Sequence, residues 1–117
     1  MSDGRLPTEL WVEGHLQQLT MRAVPYYFVQ KGNPASGLLL LKLNSLRGNV
    51  RLLAQERDFL ENKLVWVNAL DQEMVEESEA DAYIQRAVSR DPDLWVLEIE
   101  DETMTNPFES SALGEGA

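Results

Sequence analysis

The segment LLLLKLNSL, residues 38–46, constrains the fold more than any other because it is apolar at almost every position. Successive residues of a β-strand point to opposite faces of a sheet, so a strand of this composition needs apolar neighbours on both faces. Residues 47–49 (RGN) favour a short turn, and VRLLAQE (50–56) returns with the same two-sided apolar character. The sequence therefore predicts a Leu-rich β-hairpin with two apolar faces.

Helices and further strands complete an α+β pattern around this hairpin. One helix is predicted to begin with Thr8 as its N-cap, and a second near Ser78, where Ser78 and Asp81 have the spacing of a capping box. Additional strands are predicted at 26–31, 63–70 and 94–100. Short connections between strands favour an antiparallel sheet of four to five strands, in the order α-β-β-β-(β)-α-β. We expect residues 1–102 to form a single domain and residues 103–117 a flexible C-terminal tail.

The position of the two helices decides whether one face of the sheet stays open. Each helix has a single apolar stripe, so we expect both to pack on the same face. The other face would then expose an apolar patch of the kind that marks protein interfaces. The alternatives are a strongly curled sheet, or helices that take opposite faces. The residues that we assign to the patch are Leu38, Leu40, Leu53, Leu94 and Val96.

Charge and composition narrow the possible functions. The chain of 117 residues has no cysteine, which excludes disulfides, thiolate nucleophiles and cysteine-ligated zinc. Its net charge of −10 disfavours non-specific binding of nucleic acid. Twelve of the acids fall in residues 71–102, and they either orient a partner or simply keep the protein soluble. Without a signal-peptide core or an apolar run of about 20 residues, a cytoplasmic protein with no membrane segment is expected.

Several acidic and basic residues are candidates for sites of chemistry. Glu98 and Glu100 share one strand face and would need a third oxygen ligand to hold a metal ion, so a solvated strand end is the favoured interpretation. Glu61 and Lys63 have the E-x-K spacing of metal-dependent nucleases, which a charged chain also produces by chance. The single histidine, His15, lies beside an apolar helix stripe and is predicted to be structural. We therefore assign no catalytic, cofactor-binding or metal-binding residue.

The basic residues of the Leu-rich hairpin support an alternative function. Lys42, Arg47 and Arg51 could form a basic surface for nucleic acid, although few aromatic residues are interleaved for base stacking. Nucleic acid is therefore a less favoured partner than a protein.

Three segments of the chain are similar to a known bacterial family. LWVEGHLQQL, FVQKGNPASGLLLLKLN and EADAYIQRAVSRDPDLWVLEIED resemble the proteobacterial family called domain of unknown function 1491 (DUF1491), over residues 8–101. The resemblance implies a small cytosolic protein and supplies no catalytic residue. Together with the apolar patch, it leads us to expect a non-enzymatic interaction or adaptor protein that binds a protein partner or forms a homodimer.

Overall fold

The computed structural model describes residues 6–109, which form two helices and one six-stranded sheet. The elements are α1 (Thr8–Met21), β1 (Tyr26–Gln30), β2 (Leu39–Asn44), β3 (Asn49–Asp58), β4 (Lys63–Asn68), β5 (Val75–Glu76), α2 (Glu77–Arg90) and β6 (Trp95–Glu100). The α+β class is confirmed, and every strand predicted from the sequence is present. The two-residue strand β5 was not predicted.

The strands lie in the order β1-β6-β2-β3-β4, and β5 pairs with the start of β3. All pairs are antiparallel except β2 and β6, which run parallel along their whole length. The parallel pair arises because the chain crosses the sheet through α2 before β6 enters between β1 and β2. A purely antiparallel sheet was expected, so this central pairing is a correction to the topology.

The two helices lie on opposite faces of the sheet. From α1, Val12, Leu16 and Leu19 pack with one set of strand residues, which includes Leu41 and Leu97. On the other face, the α2 residues Ala80 and Ile84 pack with strand residues that alternate with the first set. The expectation that both helices share one face is therefore wrong.

Coverage of both faces also corrects the apolar patch assigned from the sequence. Leu40, Leu53 and Val96 are 2%, 3% and 0% exposed, so they belong to the core of the single chain. Moreover, Leu53 pairs with Leu41 and lies under α1, whereas Leu40 and Val96 lie under α2. Only Leu38 and Leu94 keep accessible surface.

Both helix N-termini differ from their predicted caps. Pro7, not Thr8, precedes the first turn of α1, and the amides of Thr8 and Glu9 donate to the carbonyls of Ala35 and Pro34. Helix α2 begins at Glu77 without a side-chain cap, so the capping box of Ser78 and Asp81 does not form. The unpaired amides of a first turn need acceptors, and in α1 the β1–β2 loop supplies them.

The segment after β6 packs against the α1 face. Phe108 is buried among the rings of Trp11, His15 and Trp66, with centroids 5.1, 4.9 and 6.1 Å away. Arg51 Nη1 donates to the Met104 carbonyl at 3.0 Å and so fixes the segment to β3. The expected flexible tail, 103–117, is thus corrected for residues 103–109, and the remainder lies outside the described residues.

Replacing Phe108 with alanine tests whether this segment belongs to the core. We expect Phe108→Ala to lower the free energy of unfolding by about 3 kcal/mol or more, because it leaves a cavity among aromatic rings. Phe59→Ala is the matched control, since Phe59 is mostly exposed and its removal should change stability by less than about 0.5 kcal/mol. Urea denaturation measures both, and equal effects of the two changes would contradict the packing described.

Candidate functional site

A cluster of charged and polar side chains surrounds Lys42, at the centre of the sheet. Lys42 is 3% exposed, and its Nζ lies 2.7 Å from Glu77 Oε2, 2.8 Å from Asp81 Oδ1 and 3.6 Å from Glu98 Oε1. Glu77 and Asp81 are four residues apart on α2 and so share one helix face. Glu98 is the parallel-strand partner of Lys42 in β6. Asn44 completes the group and donates to Glu98 Oε2 at 2.9 Å.

Lys42 forms ion pairs with three carboxylates, and we call this network of Lys42, Glu77, Asp81 and Glu98 the ion-pair clamp. Burial alone would lower the pKa of Lys42, but hydrogen bonds to Asp81 and Glu77, with the charge of Glu98, outweigh it and raise the pKa above 10.5. An ammonium that stays protonated is neither a nucleophile nor a general base. The cluster thus fastens α2 to the sheet. Glu98, expected at a solvated strand end, is instead half-buried and paired.

The basic residues proposed to bind nucleic acid do not come together. Lys42 is enclosed by carboxylates beneath α2, and Arg51 lies on the opposite face, held by the Met104 carbonyl. Arg47 is exposed in the β2–β3 turn, where its Nη2 is 3.6 Å from Glu102 Oε1. Alternation along β2 and β3 separates the three residues, because Lys42 pairs with Leu52 and Leu43 pairs with Arg51. They therefore form no common basic surface.

His15 is packed inside the aromatic cluster of the α1 face, as the sequence predicted for a structural histidine. Its ring centroid lies 4.8 Å from that of Trp11, and Nδ1 is 2.9 Å from the Trp11 carbonyl. Nε2 is buried and has no hydrogen-bond partner among residues 6–109. His15 is 1% exposed, so its ring contacts the aromatic cluster and not solvent.

The residues with E-x-K spacing, Glu61 and Lys63, lie at the β3–β4 turn, whose conformation is set by their neighbours Asp58 and Asn62. Asp58 Oδ1 accepts hydrogen bonds from the amides of Leu60 and Glu61, at 3.0 and 3.2 Å, and Asn62 adopts a left-handed φ of 56°. Glu61 and Lys63 are exposed on this turn. Across the part of the chain that the structure describes, no three acidic or histidine side chains converge as metal ligands.

The turn between β3 and β4 carries the most exposed apolar pair in the described chain. Phe59 is 83% and Leu60 98% exposed, and we refer to these two residues as the hairpin tip. The last four residues of β3 pair only with β4, and the final three lie beyond Leu39, where β2 begins. The hairpin therefore projects about 10 Å beyond the neighbouring strand. The strands predicted at 50–56 and 63–70 leave a connection here, and the aromatic–aliphatic pair within this charged turn is the signal that the sequence offers.

An open groove of about 270 Å³ lies at the base of this hairpin, on the α2 face. We call it the α2 groove. Its apolar lining comes from strand residues and from the last turns of α2, and the exposed Arg90 and Asp91 lie at its edge. The apolar residues that line it are Leu38, Leu39, Leu40, Ala54, Tyr83, Ala87 and Leu94. The groove thus contains three of the five residues assigned to the apolar patch, with Leu38 40% exposed.

Substitution of Lys42 measures the ion-pair clamp. Lys42→Met should lower the free energy of unfolding at neutral pH by about 3 kcal/mol, because three carboxylates lose their counterion. Folding raises the pKa of Lys42. Its contribution to the free energy of unfolding is therefore complete below pH 10.5 and is lost as the pH rises through the pKa of the folded state. The stability gap between wild type and variant should therefore narrow in alkali.

Urea denaturation from pH 7 to about pH 11 would follow this gap. Lys63→Met is the control, because Lys63 is exposed and its loss should matter little at any pH. A constant gap across the series would refute the assigned clamp.

Comparison with known proteins identifies the family of the chain. The family model described as "Protein of unknown function (DUF1491)" matches residues 6–109. A crystal structure of a DUF1491 family protein from Caulobacter crescentus CB15 is similar, with 28% identity, a TM-score of 0.75 and coverage of 89% of this chain and 94% of that chain. An NMR structure of a DUF1491 family protein from the same organism has 27% identity, a TM-score of 0.73 and coverage of 87% and 91%.

A third solved structure supports the fold. The solution structure of protein Atu0922 from A. tumefaciens has 24% identity, a TM-score of 0.63 and coverage of 83% of this chain and 86% of that chain. No curated protein matches the sequence. Within residues 6–109, neither helix has the length and apolarity required to cross a membrane. The family model spans the whole described domain and the similar structures share its architecture, so the chain belongs to the DUF1491 family.

Proposed function

We propose that this protein is a non-enzymatic protein-interaction module and that the hairpin tip is its contact element. The observation that carries the proposal is the exposure of Phe59 and Leu60 on a turn held by Asp58. Two large apolar side chains in water are unfavourable unless a partner covers them in the functional state. Localisation in the cytoplasm is part of the proposal, since a chain without cysteine suits a reducing compartment.

The energetics of the hairpin favour binding through the tip. Burial of a Phe or Leu side chain contributes about 1.5–3 kcal/mol each. The turn is already ordered by the Asp58 hydrogen bonds, so little backbone entropy remains to be lost when a partner binds. Aromatic residues are also enriched among those that dominate interface energies. A rigid turn that presents Phe59 and Leu60 is therefore a compact anchor.

The polar side chains support a non-enzymatic function. Lys42, Glu77, Asp81 and Glu98 are engaged with one another, and His15 is enclosed by aromatic rings. The side chains best suited to acid–base chemistry thus contribute to the packing of the two helices. The exposed surface offers apolar contact instead, in the tip and in Leu38 and Leu94 of the α2 groove.

A protein is a better partner for the tip than a membrane. Anionic lipid surfaces attract basic segments, whereas this chain has a net charge of −10. The tip is flanked by Arg57 and Lys63 and by Asp58 and Glu61, which cancel in charge. A neutral apolar anchor on an acidic protein suits an apolar pocket on another protein.

Replacement of both tip residues tests the proposal. We expect Phe59→Ser with Leu60→Ser to abolish the main cross-links formed in a lysate of the source organism, while the melting temperature stays within a few degrees of wild type. The control is Leu46→Ser, which removes an exposed leucine from the β2–β3 turn, at the opposite end of β3 from the hairpin tip.

Chemical cross-linking followed by mass spectrometry would compare the three proteins. We expect the tip variant to lose cross-linked partners that the Leu46→Ser variant keeps. If the tip variant keeps every partner and every self-contact of wild type, Phe59 and Leu60 are not the contact element and the proposal fails.

A further inference from the structure

We propose that a second copy of this chain receives the hairpin tip, and that each of the two copies inserts its tip into the α2 groove of the other. The inference rests on the proposed function and deepens it by naming the partner. The two surfaces that it joins are the most exposed apolar pair and an open groove of the same molecule that is lined by seven apolar and three polar residues.

The size and chemistry of the α2 groove suit the tip. A cavity of about 150 Å³ lined by aliphatic and aromatic residues holds a benzene molecule. The α2 groove has about 270 Å³, which accommodates the phenyl ring of Phe59 with part of Leu60. Leu38 and Leu94 from the sheet side and Tyr83 from α2 supply the apolar walls that such a ring would contact.

Each of the two surfaces has one exposed acid and one exposed base beside its apolar residues. Glu61 and Lys63 are exposed on either side of Asn62, immediately after the tip. Arg90 and Asp91 are exposed at the edge of the groove and likewise carry opposite signs. A tip seated in the groove can place its acid near Arg90 and its base near Asp91. Such complementarity fixes the register of an interface more than it adds to affinity.

The position of the hairpin explains why the exchange involves two chains. Ala54 and Gln55 of β3 line the groove, and the same strand continues to Asp58 before the tip. The tip thus projects about 10 Å past its own groove and, as the end of a paired hairpin, does not fold back into it. Two chains related by a two-fold axis can lay their hairpins side by side, so that each tip reaches the partner's groove. Such an interface is closed and self-complementary.

Sedimentation velocity tests the self-association directly. The contact area is small, so we expect a weak dimer whose population rises with concentration between about 10 µM and about 1 mM. The tip variant with Phe59→Ser and Leu60→Ser should raise the dissociation constant at least about tenfold, whereas Leu46→Ser should leave it unchanged. These substitutions lie on exposed turns, so the fold is retained in all three proteins.

A spin label locates the contact on the wild-type fold. Because the sequence contains no cysteine, Glu56→Cys provides a single attachment point on the exposed side of the projecting hairpin. In an equimolar mixture with isotope-labelled wild type, only contacts between chains can broaden the observed amide signals. We expect broadening at Leu38, Tyr83 and Leu94. A label at Leu46→Cys, at the opposite end of β3, should leave these three signals sharp.

The outcomes separate this inference from the proposed function. A monomer at every concentration, unchanged dimerisation of the tip variant, or broadening away from the α2 groove would each overturn reciprocal exchange. If the chain is monomeric while its lysate cross-links still depend on the tip, a different protein occupies the contact and only the self-association is wrong. If neither the self-association nor the lysate cross-links depend on the tip, the proposed function is overturned as well.

Discussion

The fold depends on a central strand that has to be covered on both faces. All six residues of β2 are buried, and the strand lies between β3 on one side and β6 on the other. Its leucines alternate between the two faces, so neither face can be left to solvent without a large loss of hydrophobic stabilisation. One helix on each face meets this requirement in a single short chain. The parallel entry of β6 follows, because the chain leaves the sheet through β4 and β5, covers one face with α2, and returns to the centre.

Lys42 is the one charged residue in this strand, and its burial accounts for part of the acidic excess of residues 71–102. A buried ammonium is costly unless it is paired and hydrogen-bonded. Glu77 and Asp81 from α2 and Glu98 from β6 supply that pairing, so three acids that the sequence alone assigns to solubility or to orienting a partner also neutralise a buried cation. The same contacts set the rotation of α2 on the sheet, because only one face of the helix presents both carboxylates. Hydrophobic burial thus brings the helix to the sheet, and the ion pairs define its orientation.

The sequence predicts the elements of this fold better than their arrangement. Alternation and turn residues locate the strands and both helices, since these signals are local. Register is not local, and a shift by one residue exchanges the two faces of a strand. Leu53 illustrates the limit: it was grouped with Leu40, but pairing with Leu41 places it under α1. Contacts between residues distant in sequence are likewise not predicted by local patterns. The convergence of Lys42 with its acids and the packing of Phe108 in the core are two such contacts. The strand predictions leave the tip only as the connection between 50–56 and 63–70, because its exposure depends on how far β3 extends beyond its neighbours.

The use of both sheet faces for the core determines where a contact surface can lie. Residues of β2 and β6 are committed to the helices, so the two surfaces proposed for contact lie where the sheet extends past them and where a helix ends. The projecting β3–β4 hairpin and the α2 groove are those two places, and they lie at the same end of the sheet because Ala54 and Gln55 of β3 belong to the groove lining. Phe59 and Leu60 contribute little to the core, so their identity can change without a cost in folding. In the proposed function, interaction and stability are therefore carried by separate residues of one hairpin, and each can be altered while the other is preserved.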